Sequence, residues 1–481
     1  MTLYLLHSGQ SSAKRLARRV PSLQPITNSQ GVTKEDVVIR YGNTSEPDAG
    51  FWQINRKDAL LGVRDRPAMI EALHLAGVRT PKTFRQTEVQ WTRQYRVAVF
   101  NLQAIACFRT EERVVWLNRR IHQVHDSFIE VSPDADEQTR RICFLADRAV
   151  HALGLEMGLV SIGVTPHGRF GVIDVSATPV LSGRMLDIYS KAVSEYAQQI
   201  EDMMVPSVED NRLLIGSDLE FMFKNRNSLM VLASRYFTPS GRIGCDARSI
   251  NGDKAKRPLA ELRPEPASSP ERLCQNIDVL LRQAAAVAKQ KHPTWVAGSA
   301  PFERFSLGGH IHFSGLPYSG RLVNLLDVYV GLPLMLIEDP TTAKRRRPKY
   351  GFLGDIRHKS YGGFEYRTPG SFLVDPGITL GAFALAFVVA RHHQTLPYLA
   401  LHTKENRLAF YRNDRDHLLS LAEAAYRNIS QTTTYQQYKE AIDPIFTMIR
   451  NDEVWDESID IRTAWGIEWQ TKKRRNRTVA V

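Results

Sequence analysis

The stretch SLGGHIHFSG, residues 306–315, decides how the second half of the chain folds. It places His310 and His312 two residues apart, and on a β-strand this spacing puts both imidazoles on the same face of a sheet. Ile311 and Phe313 then point to the opposite face, toward a hydrophobic core. The glycines before the pair remove side chains where a ligand backbone or a phosphate needs close approach. The stretch predicts a strand with one functional polar face, and a strand that simply turns two polar residues to water is the alternative.

Three further segments carry the same alternation of polar and apolar side chains. They are GSDLEFMF at 216–223, LAELRPEP at 259–266 and YGGFEYRTP at 361–369. Each segment would turn carboxylates, in two cases beside an arginine, from one face of a strand and apolar groups from the other. An isolated carboxylate is costly to bury, and a shared cation removes that cost for the whole set. Oxygen ligands with a few imidazoles suit Mg²⁺ or Mn²⁺ better than zinc.

The order of these motifs resembles a known family. An acid-x-acid pair, a glutamate, HxH and Glu-x-Arg follow one another as in the glutamine synthetase and glutamate–cysteine ligase superfamily, and most closely as in its phage-type COOH–NH2 ligase type 2 (amidoligase) branch. The resemblance covers about residues 213–389. It implies an α+β protein with a C-terminal glutamine synthetase-like antiparallel sheet that forms a metal and nucleotide funnel. One departure is Asp218, because the relatives commonly have glutamate there.

The resemblance also implies an activity. It is an ATP-dependent carboxylate–amine ligase that forms an amide, peptide-like bond through an acyl phosphate and releases ADP. The implied cofactors are ATP and Mg²⁺ or Mn²⁺, and the implied partners are a small-molecule or peptide carboxylate and an amine. Phosphoryl transfer depends mostly on positioning and charge neutralisation, so carboxylates that hold divalent ions and arginines that offset negative charge are the residue types expected.

The resemblance assigns roles to residues at the matching positions. The implied metal ligands are Asp218, Glu220, Glu261, His310 and Glu365. The implied catalytic residues, which meet the phosphates or the acceptor carboxylate, are Glu365, Arg367, Arg357 and Arg347. The implied nucleotide-binding residues are His312, Arg263, Lys359 and Tyr350. His312 as a further metal ligand stays open. Glu265 could also be a ligand, but we favour its pairing with Arg263.

The charge of the chain favours acidic ligands. Its 63 lysines and arginines outnumber its 51 acids, which gives a net charge of +12 over 481 residues. Such a balance favours nucleotides or nucleic acid as partners. We expect the stretch KRRRPKYG at 344–351 to be a loop that contacts polyphosphate, with a solvated loop as the alternative. We expect the tail KKRRNR at 472–477 to be solvated; contact with nucleic acid is the alternative and is not favoured.

Composition and the cysteines bound the class of protein. A content of 43% hydrophobic and 24% charged residues is that of a globular protein, and the length predicts two or three domains. Four cysteines without a CxxC pair predict reduced thiols in the cytoplasm. The start of the sequence has no signal-peptide pattern. The apolar run at 378–390 is shorter than the ~20 residues that cross a bilayer, so we expect a buried helix and no membrane partner.

The first half of the chain resembles a different ligase fold. Its matching phrases are INRK at 54–57, AGVRTP at 76–81, YRV at 95–97 and GVIDVSATP at 171–179, which are similar to phrases of the ATP-grasp fold. The Gly-rich lid expected after Pro81 is missing, and Asp174 begins Asp-Val-Ser where the fold has Glu-x-Asn for magnesium. We therefore expect a degenerate ATP-grasp-like α/β domain that acts as scaffold, dimer contact or docking surface for a protein substrate.

The patterns predict three regions and their elements. The regions are 1–205, the degenerate ATP-grasp-like domain; 206–400, the glutamine synthetase-like amidoligase catalytic domain; and 401–481, a helical C-terminal extension with the basic tail, with a linker at about 202–212. The predicted strands are 36–42, 95–100, 103–108, 159–164 and 170–175. The predicted helices are 66–76, 136–153, 271–289, 322–337, 415–428 and 435–450.

Two other functions stay open at this point. The chain could be a non-catalytic basic protein that binds nucleic acid or a virion surface and keeps the ligase motifs as relics. It could instead be a metal-dependent hydrolase that uses the same acids and histidines. The full set of acids from Asp218 to Glu365 argues against a relic, because a relic need not keep so many groups that are costly to bury. Strict ATP dependence separates a ligase from a hydrolase.

Overall fold

The computed structural model divides the chain into two compact units. The described residues are 1–48, 50, 52–84, 91–111, 113–117, 120–124, 127–204, 213–288, 293–359 and 362–467. The first unit holds Met1–Val208, Ser319–Asn324 and Ala400–Tyr411, and the second holds Glu209–Tyr318, Leu325–Leu399 and Arg412–Val481. The basic tail and residues 205–212 of the expected linker lie outside the described residues, so the expectations for them stay predictions.

The first unit opens with a four-stranded parallel sheet in the order β2-β1-β3-β4. Its elements are β1 (Leu3–His7), α1 (Ser11–Arg19), β2 (Leu23–Ile26), β3 (Val37–Tyr41), β4 (Trp52–Ile54), α2 (Lys57–Arg64) and α3 (Arg66–Leu75). β3 is buried along its whole length, as parallel strands covered on both faces are. α3 begins at Asp65, whose side chain accepts a hydrogen bond from the backbone N–H of Ala68. The predicted helix at 66–76 is thereby confirmed.

A five-stranded antiparallel sheet, in the order β11-β10-β5-β6-β9, completes the first unit. The elements are β5 (Arg93–Phe100), β6 (Gln103–Thr110), β7 (Arg113–Leu117), β8 (Arg120–Val124), β9 (Phe128–Val131), α4 (Glu137–Ala152), β10 (Met157–Val164), β11 (Phe170–Ser176) and α5 (Gly183–Met204). Among the described strands, β7 and β8 pair with each other and with no third strand. α4 packs on the sheet through Ile142, Ala146 and Val150, which are buried. The strands and the helix predicted between 95 and 175 are confirmed.

Glu156 is a buried acid just before β10. It is 7% exposed, and its carboxylate accepts a hydrogen bond from Asn324 Nδ2 at 2.6 Å. Asn55 accepts a hydrogen bond from the backbone N–H of Glu156 at 2.9 Å, which fixes the chain at this point. Burial raises the pKa of Glu156 to about 8, although Arg56 and Arg321 act in the opposite direction. The carboxyl group is therefore mostly protonated at neutral pH.

The second unit is built on an antiparallel sheet whose main path is β14-β15-β12-β17-β19-β18. Its strands are β12 (Leu214–Lys224), β13 (Met230–Val231), β14 (Ile243–Cys245), β15 (Leu259–Leu262), β16 (Thr294–Val296), β17 (Gly309–Ser314), β18 (Ile356–His358) and β19 (Phe364–Tyr366). β13 and β16 also pair with β12. The chain thus combines helices with antiparallel sheets, in agreement with the predicted α+β class at this level.

Alternation along β12 and β17 gives this sheet one apolar face. Leu219 and Phe221 of β12 and Ile311 and Phe313 of β17 are all 0% exposed. Helix α6 (Pro270–Val287) contacts β12 and β15. Because successive side chains of a strand point to opposite faces, the residues between these apolar positions share the other face. The strand predicted at 306–315, with its apolar and polar sides, is confirmed.

The remaining helices include one buried apolar helix, α10 (Pro376–His392). They are α7 (Gly320–Leu326), a π-helical segment (Asp327–Gly331), α8 (Leu332–Ile337), α9 (Pro340–Arg346), α10 (Pro376–His392), α11 (Lys404–Arg412), α12 (Arg415–Ser430), α13 (Tyr435–Arg450) and α14 (Ile461–Ala464). α10 is the apolar run predicted as a buried helix, and it contacts α6 and α13. The stretch Gly320–Ile337 is long and apolar enough to span a membrane, but 94% of it is buried in the structure, as in a core helix.

The expected basic loop at 344–351 is wrong in its first part. Residues up to Arg346 belong to α9. The side chain of Asp339 accepts hydrogen bonds from the backbone N–H groups of Thr341 and Thr342, and Pro340 stands at the first helical position. A capping acid followed by proline starts a helix, so the charge run is the last turn of a helix and continues as an irregular segment.

Gly381 is expected to be required for the packing of α10 on α13. A Cβ at this position would lie 2.6 Å from the carbonyl oxygen of Ala441 and 2.7 Å from Cδ1 of Ile445, both on α13. Gly381→Ala should therefore destabilise the chain by about 1–3 kcal/mol, measured by urea unfolding. The matched control is Gly62→Ala in α2, where nothing lies within 4 Å of the new methyl group. That variant should gain stability from the higher helix propensity of alanine. Equal stability of G381A and wild type would contradict this close approach.

Glu156 is expected to make stability depend on pH. Its pKa is raised from 4.5 to about 8 by folding, so its contribution is complete below pH 4.5 and is lost as pH rises through 8. Glu156→Gln removes this loss and should stabilise the chain at pH 9 more than at pH 5, by several kcal/mol. Urea unfolding at both pH values measures the difference, with exposed Glu35→Gln as the control. A stability change that is the same at pH 5 and pH 9 would mean that Glu156 ionises normally.

Candidate active site

The polar face of the second sheet brings the motif residues together through strand register. Hydrogen-bonded neighbours place side chains of adjacent strands side by side on one face. The opposed pairs are Asp218–His310, Glu220–Glu261, His312–Glu365 and Arg357–Glu365. Five strands, β15, β12, β17, β19 and β18, therefore bring these side chains together on one surface.

One group that can hold a cation consists of Asp218, His312 and Glu365. One ligand atom of each lies within 4.8 Å of the others. His312 Nε2 is 3.2 Å from Asp218 Oδ2. Lys359 places its ammonium 2.7 Å from Glu365 Oε2 and 3.9 Å from Asp218 Oδ2. The group thus contains two oxygen donors, one nitrogen donor and, beside them, a basic side chain of the protein itself.

A second such group consists of Glu220, Asp246 and Glu261. Their ligand atoms also lie within 4.8 Å of one another. Glu220 Oε2 accepts a hydrogen bond from the backbone N–H of Gly308 at 2.8 Å. Arg248 donates to Glu220 Oε2 and to Asp246 Oδ1, both at 2.6 Å. This second group adjoins the first because Asp218 and Glu220 are two residues apart on β12.

Asp246 and Arg248 are functional candidates that the sequence reasoning left out of the site. They follow β14, whose Gly244 pairs with Glu261 of β15. The sequence Asp-Ala-Arg repeats the two-residue spacing of the other motifs, and this spacing was the available signal. Because β14 has only three residues and lies in a segment rich in turns, its edge position in the sheet was not predictable from pattern alone.

Glu365 lies at the centre of the polar face. Its side chain is 0% exposed. His310 Nδ1 and Arg367 Nε each lie 3.1 Å from its Oε1, and Arg357 Nη1 lies 3.4 Å from its Oε2. Burial, followed by the charge of Arg367, lowers the pKa of His310 well below its ordinary value. His310 is therefore a neutral imidazole, the form that coordinates metal ions.

The acids of this face differ in how readily they ionise. Burial, reinforced by the charge of Asp218, raises the pKa of Glu261 to about 8. Burial also raises the pKa of Glu220, although Arg248 opposes it. For Asp218 burial acts in the same direction, but the neighbouring His312 outweighs it and the pKa is lowered. Burial thus disfavours the ionised form of two of these acids, and a divalent cation beside them would favour that form.

Two buried atoms test whether a metal ion suits this face. Glu365 Oε1 and His312 Nε2 are buried and form no hydrogen bond with any described residue, although charged groups lie within about 3.2 Å of each. Buried polar atoms normally form a hydrogen bond, and a buried polar atom without one points to a bound water or ion. With carboxylate oxygens and neutral imidazoles around them, these atoms fit Mg²⁺ or Mn²⁺.

Arg347 pairs with a buried acid, and its expected contact with phosphate stays a prediction. Its side chain is 2% exposed, and its Nη2 is 2.6 Å from Glu338 Oε1. Glu338 also accepts hydrogen bonds from Ser299 Oγ and from the backbone N–H of Gly370. The guanidinium of Arg347 therefore neutralises the buried acid Glu338. A run of charged residues at the end of a helix need not face solvent.

Arg346 next to it binds the backbone. It donates to the carbonyl oxygens of Leu307, Arg367, Thr368 and Pro369 at 2.6–2.9 Å. Burial and the neighbouring Arg347 lower its pKa to about 10. The guanidinium stays charged at neutral pH and fixes the chain at the ends of β17 and β19, from which His310 and Arg367 project.

The remaining predicted residues lie beside the two groups. Arg263 pairs with Glu261, whereas Glu265 pairs with Arg242, so the expected Glu265–Arg263 pair is wrong. The register of β14 and β15 brings Arg242 to that side. Tyr350 lines a cleft together with Glu220, Arg248, His310 and Arg367. Arg263 and Tyr350 therefore lie beside residues of the two groups.

The glycines before HxH make room for neighbouring parts of the protein, and their expected role in admitting a ligand stays a prediction. A Cβ on Gly308 would collide with the imidazole of His310. A Cβ on Gly309 would collide with the carbonyl oxygen of Gly370 and the ring of Phe372. The backbone N–H of Gly308 orients Glu220. The glycines thus allow the site residues to take their places.

Comparison with solved structures gives only weak likenesses. ATP-grasp ligase PsnB complexed with minimal precursor is 11% identical, with a TM-score of 0.30, and the alignment covers 42% of this chain and 100% of that chain. D-alanine–D-alanine ligase from Bacillus anthracis is 11% identical, with a TM-score of 0.28, and the alignment covers 42% of this chain and 95% of that chain. A chain in the complex of the prokaryotic ubiquitin-like protein Pup and its ligase PafA is 12% identical, with a TM-score of 0.35, and the alignment covers 50% of this chain and 64% of that chain. Such values carry no argument.

Comparison of sequences is more informative. No curated protein matches the chain. A family model, Phage phiEco32-like COOH.NH2 ligase-type 2, matches residues 215–467. The match covers more than half of the 481 residues, contains every residue of the polar face, and extends through α14. The chain therefore belongs to the phage phiEco32-like COOH.NH2 ligase-type 2 family.

Proposed function

We propose that the chain is an ATP-dependent carboxylate–amine ligase that forms an amide bond through an acyl phosphate and releases ADP. The observation that carries the proposal is the pair of adjoining cation-competent groups on one sheet face. Membership of a COOH.NH2 ligase family supports the overall reaction. The proposal includes a glutamine synthetase-like funnel for the second unit. The antiparallel sheet of that unit, with acids gathered on its polar face, supports this part of the proposal.

Divalent ions are the cofactors of this proposal. Mg²⁺ or Mn²⁺ would be held by the Asp218 group, with His310 beside Glu365, and by the Glu220 group. When bound, such ions neutralise the phosphate charge of ATP and stabilise the charge that develops during transfer. Glu365 belongs to the first group and is fully buried, so it is the residue whose loss should disturb this site most.

The reaction that this site would promote is balanced as two displacements. An oxygen of the acid attacks the γ-phosphorus of ATP, the bond from that phosphorus to the bridging oxygen breaks, and ADP leaves. The lone pair of the amine then attacks the carbonyl carbon of the acyl phosphate. The bond from that carbon to the phosphate oxygen breaks, the nitrogen loses a proton, and amide and inorganic phosphate are the products.

Arg357 and Arg367 are the proposed contacts for phosphate or acceptor carboxylate. Both guanidinium groups flank Glu365. The side chain of Arg357 is 54% exposed, so much of its donor capacity is open to a ligand. Arg367 is held more tightly, because Asp355 lies 3.5 Å from its Nη1. Arginine can grip phosphate or carboxylate oxygens in a bidentate way, which suits both steps.

The first unit has a separate proposed role. We infer a degenerate ATP-grasp-like domain that docks a protein substrate or supports the second unit. Its parallel and antiparallel sheets are compatible with this inference. Asp174 of β11 pairs in register with Ser161 of β10, and Ser161 pairs with Arg96 of β5, a row with a single acid. One acid is a poor basis for a magnesium site. A cytoplasmic location completes the proposal.

ATP turnover is expected to depend on Glu365. Purified protein with Mg²⁺ and ATP is offered a matrix of amino acids, peptides, polyamines and other amines, and ADP release and amide formation are measured together. Glu365→Gln should lower ADP release by at least about 100-fold, because it removes a ligand charge at the centre of the site. The matched control is Glu303→Gln, an exposed acid outside both groups.

Three outcomes of this experiment are informative. ADP release that needs both an acid and an amine, and that E303Q leaves unchanged, supports a ligase and identifies its substrates. Cleavage of an offered peptide without ATP would instead indicate a hydrolase. Absence of nucleotide binding with every pair, or equal turnover in E365Q, would contradict the proposal, provided that circular dichroism shows E365Q to be folded.

A further inference from the structure

Lys359 occupies a place that a metal ion would need. We propose that Lys359 is an internal counter-cation of the Asp218–His312–Glu365 group, which holds the group together before a divalent ion binds and is displaced by that ion. The displaced ammonium then becomes available to phosphate oxygens. This inference rests on the proposed function, because it concerns how the same site takes up its ions.

The contacts of Lys359 carry the argument. Its ammonium lies 2.7 Å from Glu365 Oε2 and 3.9 Å from Asp218 Oδ2. These acids are two of the three members of the cation-competent group, and the third, His312, lies 3.2 Å from the same Oδ2 atom. The ammonium and a divalent ion would therefore seek the same oxygen atoms. Both are positive, so occupancy by one disfavours the other.

The other basic groups around Glu365 are less suited to this role. Among the described residues, the contacts of Glu365 with Arg367 and Arg357, at 3.1 and 3.4 Å, are longer than its contact with Lys359. Arg367 is also engaged by Asp355, and Arg357 is more than half exposed. A fully buried carboxylate needs a partner at close range. Lys359 supplies the shortest of these charged contacts.

Hydrogen bonds of the main chain hold the backbone of Lys359 in place. Its backbone N–H donates to the carbonyl oxygen of Gly363 at 2.8 Å, and its own carbonyl accepts from Gly362 at 3.1 Å. These bonds form the turn between β18 and β19. A lysine side chain is a single charge on a flexible four-carbon stem. The ammonium can therefore leave the acids without movement of the strands.

Arg248 in the neighbouring group shows the contrasting arrangement. Its guanidinium donates at 2.6 Å to Asp246, to Glu220 and to the carbonyl oxygen of Ser306. Three bonds from a planar group define one orientation of the guanidinium. Arg248 is thus a brace for its group, whereas Lys359 is a replaceable partner of the other group.

Binding of Mn²⁺ without nucleotide tests the proposal. Lys359→Met removes the competing charge and should bind Mn²⁺ about tenfold more tightly than wild type, measured by titration calorimetry or by the free-Mn²⁺ paramagnetic resonance signal. Lys359→Arg retains a cation and should stay close to wild type. Lys344→Met removes one exposed charge at the end of α9 and controls for the general effect of charge. Unchanged or weaker Mn²⁺ binding by K359M would overturn the proposal.

A second measurement uses the wild-type chain and does not depend on a variant that folds. Reductive methylation followed by mass spectrometry reports the accessibility of each lysine amine. Mn²⁺ should accelerate modification of Lys359 and leave Lys344 unchanged, because displacement frees the ammonium from Glu365. Slower or equal modification with Mn²⁺ would contradict displacement. Neither readout involves ATP turnover, so a chain that binds Mn²⁺ in this way but never releases ADP would disprove the ligase proposal alone.

Discussion

The burial of carboxylates on one face of an antiparallel sheet is the constraint on which the second unit depends. Glu220, Glu261 and Glu365 are all less than 10% exposed, and strand register places Glu220 opposite Glu261 and Glu365 opposite His312. A carboxylate removed from water must be protonated, paired or coordinated. The elevated pKa of Glu261, the ion pairs of Arg248 and Lys359, and the fit to a divalent ion are three responses to that one constraint.

The same constraint links the fold to the proposed chemistry. An enzyme that transfers a phosphoryl group needs positive charge at fixed positions, and a sheet that concentrates acids can hold it there as bound ions. The surrounding structure limits movement of the acids: Gly308 orients Glu220, and Arg346 ties together the carbonyl groups beside His310 and Arg367. Preorganisation of this kind reduces the rearrangement required when substrate binds.

Sequence reasoning reached the parts of this arrangement that local periodicity controls. The two-residue spacing in β12, β17 and β19 predicts which side chains share a face, because alternation is a property of a single strand. Asp246 was left out of the site because its place follows from the pairing of β14 with β15, a contact distant in sequence. The ion pair of Arg347 with Glu338 was not predictable, because charge alone does not show whether a helix end turns toward solvent or toward a buried acid. The pairing of Glu265 likewise depended on register.

The alternation of the sheet also restricts how the chain can change in length during evolution. In β17 the residues of the polar face and those of the hydrophobic core occupy alternate positions of one short segment. Insertion or deletion of a single residue would reverse both sets at once, placing His310 and His312 in the core and Ile311 and Phe313 on the polar face. Changes of length are therefore tolerated in the turns between strands, while the strands themselves must keep their parity.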